Sequence, residues 1–143
     1  MYAPLIEIAS FGDLNDADQA HTLRFLLEAL TYVNVLYLRA NPSTPSLYEF
    51  SPLYIKKSRP YGLESWQDIQ ATLKKGAGDC KDFCAWRLAE LRIAEPEKAE
   101  KNGFIFQLRG EEINHKIFHV VIRKSSGQIE DPTNLLPHGE EAR

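Results

Sequence analysis

Only two cysteines, Cys80 and Cys84, occur in this chain of 143 residues. Two thiols are too few for the disulfide framework of a small secreted protein, so a packed core must hold the fold. A chain of this length buries enough surface to fold alone, and we expect a single domain over residues 1–143. In a reducing compartment an unpaired thiol is inert, bound to a metal or catalytic.

Positive charge is also scarce, because 17 basic residues against 20 acidic ones give a net charge of −3. A general binder of nucleic acid or of anionic membranes carries a basic excess, so we expect neither as a partner. The start of the chain lacks the charged and apolar regions of a secretory leader. Its most apolar stretch, 23–38, contains Arg24 and Glu28, which a membrane span rarely tolerates. We therefore expect a cytoplasmic protein.

No internal repeat or low-complexity tract is present, and the N-terminal part is dominated by one helical pattern. Apolar residues at steps of three and four predict a helix over 14–40, capped by Asn15 or Asp16 and ended by Pro42. The expected apolar stripe consists of Leu23, Leu26, Leu30, Val33, Tyr37 and Ala40.

An aromatic loop follows this helix and completes the N-terminal part, 1–62. Residues 41–62 hold four prolines and four aromatic residues without a regular period. Either these aromatic side chains fill the core, or the segment lines a site, as long irregular segments often do. In the second interpretation Tyr54 and Tyr61 are candidates for the wall of a substrate cleft.

Two shorter helices and a sheet are predicted after the loop. Ser65 caps the first helix, 65–75, in which Trp66, Ile69 and Leu73 share a face before Gly76 ends it. Asp79 caps the second, whose buried stripe is Phe83, Cys84, Leu88 and Leu91. Beyond Asn102 and Gly103, three segments read as strands: 103–109, 114–123 and 128–133. Helices followed by an antiparallel sheet indicate an α+β domain.

Cys80 lies where a glycine-rich turn meets the second of these helices. The first N–H groups of a helix have no partner within it, and the helix dipole favours negative charge there. We therefore expect the pKa of the Cys80 thiol to be lowered toward the nucleophilic thiolate. The same N–H groups could stabilise the oxyanion of an acyl-transfer intermediate. Cys84, one turn further on, fits a small core residue.

Three other interpretations of Cys80 compete with a catalytic role. A disulfide with Cys84 has poor geometry within one helix. Zinc could be bound by the pattern Cys80, Cys84, His115 and His119, but residues four apart on a strand stand about 13 Å apart, so both histidines cannot bind one ion. An inert, buried Cys80 is the third interpretation, and the glycine-rich entry argues against it. We expect no metal and no cofactor.

A thiol nucleophile needs an imidazole base and a group that orients it, and His119 and Asp131 fit these roles. His119 lies in the most strand-like run of the chain. A three-residue hairpin loop, Ser125 to Gly127, would place Val121 opposite Asp131. Asp131 then lies on the same face as His119, one diagonal step away and within side-chain reach.

These residues resemble the transglutaminase-like branch of the papain-type cysteine enzymes. The likeness is carried by Gly78-Asp79-Cys80 at a helix start, by His119 in a strand and by Asp131-Pro132-Thr133 after a turn. It covers a core of about 66–136, half of the chain, leaving 137–143 as a polar tail. Small single-domain members from phage and prophage genomes share the same order, which implies a phage-encoded protein of the host cytoplasm or the virion.

The resemblance implies Cys80 as nucleophile, His119 as general base and acid, and Asp131 as the orienting group. It also implies an oxyanion hole made by the Cys80 N–H and an upstream donor, for which Trp66 and Gln67 are candidates. No calcium loop is visible, so a calcium requirement is not carried over.

The expected function is a cysteine-dependent amide-bond hydrolase, peptidase-like, that passes through a thioester acyl-enzyme and acts on a protein or peptide. Two alternatives remain open at this point. The acyl group could be transferred to an amine instead of water, or the chain could be a binding or virion-assembly module that keeps the fold without the activity.

Overall fold

The computed structural model describes residues 5–8, 16–55, 64–112 and 115–139 of the chain. Within these ranges helices and short strands are mixed, so the protein belongs to the α+β class. None of the described helices combines the length and the apolar character that crossing a bilayer requires.

Five α-helices, seven strands and one 3₁₀ helix (Pro96–Lys101) make up the described structure. The helices are α1 (Asp16–Ala40), α2 (Leu47–Phe50), α3 (Ile69–Lys75), α4 (Cys80–Ala94) and α5 (Pro132–Leu135). The strands are β1 (Leu5–Ile8), β2 (Leu53–Tyr54), β3 (Glu64–Gln67), β4 (Ala77–Gly78), β5 (Gly103–Glu112), β6 (His115–Arg123) and β7 (Ile129–Glu130). They form an antiparallel β1–β3 pair, a parallel β2–β4 pair and an antiparallel sheet in the order β5-β6-β7.

Helix α1 confirms the long helix predicted from the periodicity, although its predicted first residues, 14 and 15, lie outside the described ranges. Of the predicted stripe, Leu23 and Leu30 are buried and Ala40 is exposed, while the other three members, Leu26, Val33 and Tyr37, are half-buried. The buried face is turned toward Leu27 and Asn34, which are fully buried. A buried polar side chain explains this difference. Asn34 lies in the core, and its Oδ1 accepts the Ile69 N–H of α3 at 2.9 Å. The apolar periodicity of α1 could not reveal that a buried amide accepts a hydrogen bond from the first residue of another helix.

The helix predicted over 65–75 is shorter than expected. Trp66 and Gln67 belong to β3, which pairs with β1, and the N-cap of α3 is Asp68 rather than Ser65. The Asp68 carboxylate accepts the Ala71 N–H at 2.9 Å. The predicted end is confirmed, because Gly76 adopts φ 73°, which glycine tolerates without strain.

Helix α4 lies at the centre of the molecule and is buried on two sides. On one side Cys84 and Leu88 pack in a core shared with α1 and with strands β5 and β6. On the other side Phe83 and Trp86 pack in a second core under α2, α3 and the segment at Leu136. The buried stripe predicted for this helix is therefore confirmed, and the second buried face fixes its N-terminus rigidly.

The hairpin of β6 and β7 has the predicted register. Lys124 N–H donates to the Gln128 carbonyl at 2.9 Å, and Gly127 takes the left-handed conformation with φ 89°. Ile122 pairs with Glu130, which sets Val121 opposite Asp131. The third strand ends earlier than predicted, because Asp131 leaves the ladder to cap α5.

Candidate active site

The turn into α4 is closed by a reciprocal capping box. The Asp79 carboxylate accepts the Asp82 N–H, and the Asp82 carboxylate accepts the Asp79 N–H at 3.1 Å. Asp82 also accepts the Gln67 N–H at 2.8 Å, which ties this turn to β3. Gly78 lets the chain come close, since a Cβ there would lie 3.0 Å from the Phe83 ring. These contacts fix the backbone that presents Cys80.

Cys80 is the first residue of α4 and is partly buried against the core that includes Trp66. Because it is the first helical residue, its N–H has no acceptor within the helix. No acceptor for that N–H is present elsewhere in the described ranges either. One donor suited to an oxyanion therefore stands beside the thiol.

The pKa of the Cys80 thiol differs from the expectation. Burial raises it to about 12, and the negative charge of Asp79 adds to the rise. The Lys81 ammonium and a backbone hydrogen bond from Val120 act in the opposite direction but do not outweigh burial. The predicted lowering by the helix start is thus wrong for the resting site, because the sequence did not reveal how far the thiol is removed from water.

The backbone of Val120 meets both cysteines. Its carbonyl accepts a hydrogen bond from the Cys84 thiol at 3.3 Å, while its hydrogen bond to Cys80 favours the thiolate. This edge of β6 is open because β7 pairs only with Ile122 and Arg123. Cys84 is fully buried, as predicted for a core residue. The start of α4 therefore lies against the strand that carries His119.

His119 and Asp131 form the contact that the hairpin register predicts. The Nε2 atom of His119 lies 2.9 Å from Oδ2 of Asp131. Asp131 uses its other oxygen, Oδ1, to accept the Thr133 N–H at 3.2 Å, which holds the carboxylate in place. A carboxylate only accepts, so Nε2 carries the proton and Nδ1 is left as the basic nitrogen.

Tyr54, one of the two cleft candidates, lies beside this site. It is in β2 opposite Gly78, two residues before Cys80, and its ring packs against Phe83 at 6.4 Å between centroids. Burial raises the pKa of Tyr54 to about 12, and the charges of Cys80, Asp79 and Asp131 contribute to the rise. Tyr61, the other candidate, lies outside the described residues.

The two candidates for the upstream oxyanion donor differ in what they are bonded to. The Gln67 side-chain amide donates to the Ala77 carbonyl at 3.0 Å and to the Thr72 hydroxyl at 3.3 Å. Its N–H is bonded to Asp82, so all its donors are in use. Trp66 is buried and, within the described ranges, its Nε1–H has no partner. Of the two, Trp66 is the candidate whose donor has no hydrogen-bond partner in the described ranges, and this donor is shielded from water.

Several residues near the site were missed from the sequence. The His138 ring lies 4.9 Å from the Tyr54 ring, although His138 was assigned to a polar tail. Tyr48 and Arg87 both bond to Glu130, the residue before Asp131. A polar residue next to Asp131 was visible, but its partners are 43 and 82 residues away in the chain. No local pattern reports contacts at that separation.

The pattern of four residues considered for zinc is not assembled by the described side chains. Cys84 is bonded to the Val120 carbonyl and His119 to Asp131. Among the side chains that the structure describes, no three His, Cys, Asp or Glu residues are grouped to hold a metal ion. The side chain of His115 lies outside that part.

Comparison of the chain with protein-family models, with curated proteins and with solved structures finds no match.

Proposed function

We propose that this protein is a cysteine-dependent amide-bond hydrolase with Cys80, His119 and Asp131 as its triad. One observation carries the proposal. His119 is bonded to Asp131 at 2.9 Å, in a strand whose next residue, Val120, meets the partly buried thiol at the start of α4. Nucleophile, base and orienting carboxylate are the parts that thiol acyl transfer requires. In this proposal the fold is a small form of the transglutaminase-like, papain-type arrangement.

The first step starts from a neutral thiol, because burial keeps the pKa of Cys80 high. As the Cys80 sulfur attacks the amide carbonyl carbon, Nδ1 of His119 takes the thiol proton. The carbon–sulfur bond forms and the carbonyl π electrons move onto oxygen. Asp131, bonded to the opposite nitrogen, stabilises the imidazolium that results.

The second step expels the amine and then restores the enzyme. The tetrahedral intermediate collapses, the carbon–nitrogen bond breaks, and the leaving nitrogen takes the proton from His119. Water then attacks the thioester and gives a proton to His119. The carbon–sulfur bond breaks, and the Cys80 sulfur takes that proton back, so both the thiol and the neutral imidazole are regenerated.

Charge on the developing oxyanion requires donors at the start of α4. The Cys80 N–H has no acceptor in the described ranges, and it belongs to the first turn of α4, which is the positive end of the helix dipole. Trp66 is the candidate for the second donor, because its indole N–H has no partner in the described ranges and Cys80 packs against the same core. Its ring is fully buried, so this role requires substrate binding to expose the indole N–H.

The substrate class in this proposal is a protein or peptide, met in the cytoplasm or, for a phage protein, in the virion. Transfer of the acyl group to an amine follows the same first steps and differs only in what attacks the thioester. Incorporation of a labelled primary amine into protein, measured beside peptide release, distinguishes the two reactions.

The test that needs no substrate is alkylation of Cys80 by iodoacetamide between about pH 6 and pH 10. Trypsin separates the two cysteines at Lys81, so peptide mass spectrometry reports the modification of each one. We expect His119→Ala to slow the labelling of Cys80 at neutral pH by about 10²-fold, the typical size of general-base assistance. The wild type should label faster than the variant across this whole range, because a pKa of about 12 keeps the Cys80 thiol protonated unless a base assists.

The matched control is His21→Ala, since His21 is an exposed histidine on α1. It should label Cys80 as the wild type does. Identical pH profiles for wild type and His119→Ala would overturn the proposal and leave a binding or assembly module of the same fold.

A further inference from the structure

A cluster of charged side chains lies directly behind Asp131. Arg87, in the middle of α4, donates from Nε to Oε2 of Glu130 at 2.7 Å and from Nη2 to Oε1 at 3.5 Å. The same carboxylate accepts the Tyr48 hydroxyl at 2.6 Å and lies 3.7 Å from the Lys124 ammonium. One carboxylate therefore links α4, α2 and the hairpin.

The Arg87 guanidinium is itself held on two further sides. Its Nη1 donates to Glu90 at 3.2 Å, and its plane lies 5.4 Å from the centre of the Tyr48 ring. The other oxygen of Glu90 accepts the Leu47 N–H at 2.8 Å. Arg87 bonds both Glu130 and Glu90, and Glu130 bonds both Arg87 and Tyr48. Neither side chain can therefore rotate away without breaking several hydrogen bonds.

The cluster is shielded from water, with exposed side-chain fractions of 22% for Arg87 and 12% for Glu130. Burial raises the pKa of Glu130, but the hydrogen bonds from Arg87 and Tyr48 outweigh it and leave the pKa lowered. A pair with such geometry and shielding resists displacement more than an ordinary surface ion pair does.

The cluster connects the two elements that carry Asp131 and Cys80. Glu130 precedes Asp131, and β7 is held to the sheet by only two residue pairs. Cys80 begins the helix on which Arg87 lies about two turns further on. The Arg87–Glu130 bond is thus a direct link between the helix of the thiol and the strand end that carries Asp131.

We propose that Arg87 and Glu130 are positioning residues that hold Asp131, and through it His119, at the distance from Cys80 that proton transfer needs. This inference rests on the proposed function. Tyr48 contributes by filling the second hydrogen-bonding site of the Glu130 oxygen that Arg87 bonds.

The same helix offers a matched control. Arg92 donates to both oxygens of Glu28, at 2.6 and 3.0 Å, and so links α4 to α1 on the side away from Asp131. Its exposed side-chain fraction, 21%, equals that of Arg87 within a percentage point. Glu28 is more exposed than Glu130, at 39% against 12%, and Arg92 also donates to the Asn102 carbonyl at 3.3 Å. Glu28→Gln is therefore the cleaner control, because it removes an ion pair of α4 and leaves the bond from Arg92 to Asn102 in place.

The experiment compares Glu130→Gln and Arg87→Lys with Glu28→Gln and Arg92→Lys. The readouts are the rate and pH profile of Cys80 alkylation, with the urea midpoint as a measure of folding. We expect Glu130→Gln to slow labelling at neutral pH by about 10-fold, since a small misplacement of a catalytic group is costly. Arg87→Lys should retain more reactivity than Arg87→Met, because it keeps the charge. The Glu28 and Arg92 variants should label as the wild type does.

A double variant separates positioning from a general loss of stability. If Glu130 acts through Asp131, then Glu130→Gln combined with Asp131→Asn labels no more slowly than Asp131→Asn alone. Additive slowing would overturn the inference, as would equal slowing by the Glu28→Gln control. If Glu130→Gln does not unfold cooperatively, Tyr48→Phe and Arg87→Lys are read by the same criteria.

Failure of the two proposals can be told apart. If Asp131→Asn labels like the wild type, the triad itself is absent and the positioning role falls with it. If Asp131→Asn is slow while folded Glu130→Gln and Arg87→Lys remain fast, only the positioning role is overturned.

Discussion

Burial is the main reason why the Cys80 thiol holds its proton, and charges of both signs from its neighbours modify that effect. After burial, the carboxylate of Asp79 is the largest influence that raises its pKa, and Lys81 is the largest that lowers it. Lys81 and Asp79 form an ion pair with each other, so each moderates the effect of its partner on the sulfur.

Replacing Asp79 by Asn should lower the pKa of Cys80. The substitution removes the negative charge that raises this pKa and keeps a good N-cap, so α4 still forms. The measurement is the midpoint of Cys80 alkylation against pH, which should move to lower pH. Glu97→Gln, at an exposed position beyond α4, serves as the control. An unchanged or higher midpoint would contradict the stated role of Asp79.

Gly78 is required by close contact rather than by its backbone angles. A Cβ there would meet the Phe83 ring at 3.0 Å and the Asp82 carboxylate at 3.1 Å, and both groups are buried. We expect Gly78→Ala to reduce the free energy of unfolding by about 1–3 kcal/mol, the usual cost of overpacking. Gly103→Ala is the control, since nothing lies within 4 Å of its added carbon. Equal urea midpoints for the two variants would refute this explanation.

Among the elements, those defined by local sequence were predicted and those defined by distant partners were not. The period of α4, its Asp79 cap and the Ser125–Gly127 loop are local signals, and they gave the helix start and the register that joins His119 to Asp131. The β2–β4 pair consists of two residue pairs, Leu53 with Ala77 and Tyr54 with Gly78, and no local signal connects positions so far apart in the chain.

The segment at Trp66 shows how two local interpretations can compete. The spacing of Trp66, Ile69 and Leu73 fits a helix capped by Ser65, but α3 begins only at Ile69, with Asp68 as its cap. The segment forms a strand because β3 pairs with β1 and because the Gln67 N–H is bonded to Asp82. Both partners are remote in sequence, and for the same reason the Arg87–Glu130 cluster was missed.

The capping box of α4 gives a prediction at this scale. Asp82 accepts two buried N–H groups, those of Gln67 and Asp79. Asp82→Ala removes the acceptor that both groups use and should cost about 2–4 kcal/mol of unfolding free energy, measured in urea. Ser46→Ala removes the corresponding cap of α2, whose box is exposed, and should cost only about 1 kcal/mol. Similar losses in both variants would mean that burial of the box is unimportant.

The whole molecule should respond to acid through its shielded carboxylates, which act in opposite directions. The bonded Glu130 has a lowered pKa, so its contribution is complete above its unfolded pKa of about 4.5 and is lost as the pH falls through the folded value. Glu90 and Asp68 have pKa values raised by burial, so their protonation favours the folded state as the pH falls. The net acid sensitivity is therefore less than the number of buried carboxylates suggests.

Glu130→Gln isolates one of these contributions. At neutral pH the variant should unfold at lower urea than the wild type. The difference should shrink below about pH 4.5, because protonation removes the same charge from the wild type. A difference that stays constant from neutral to acid pH would show that the Glu130 charge does not stabilise the fold.

The short third strand constrains how this protein could change. A longer β7 would add rungs to the hairpin, yet it would occupy the strip of β6 at Val120 that the two sulfurs now meet. Sheet stability and room for the thiols thus compete for the same stretch of edge. An insertion that extended the ladder beyond Glu130 would stabilise the hairpin. The same insertion would displace the start of α4 and, with it, the Cys80 thiol.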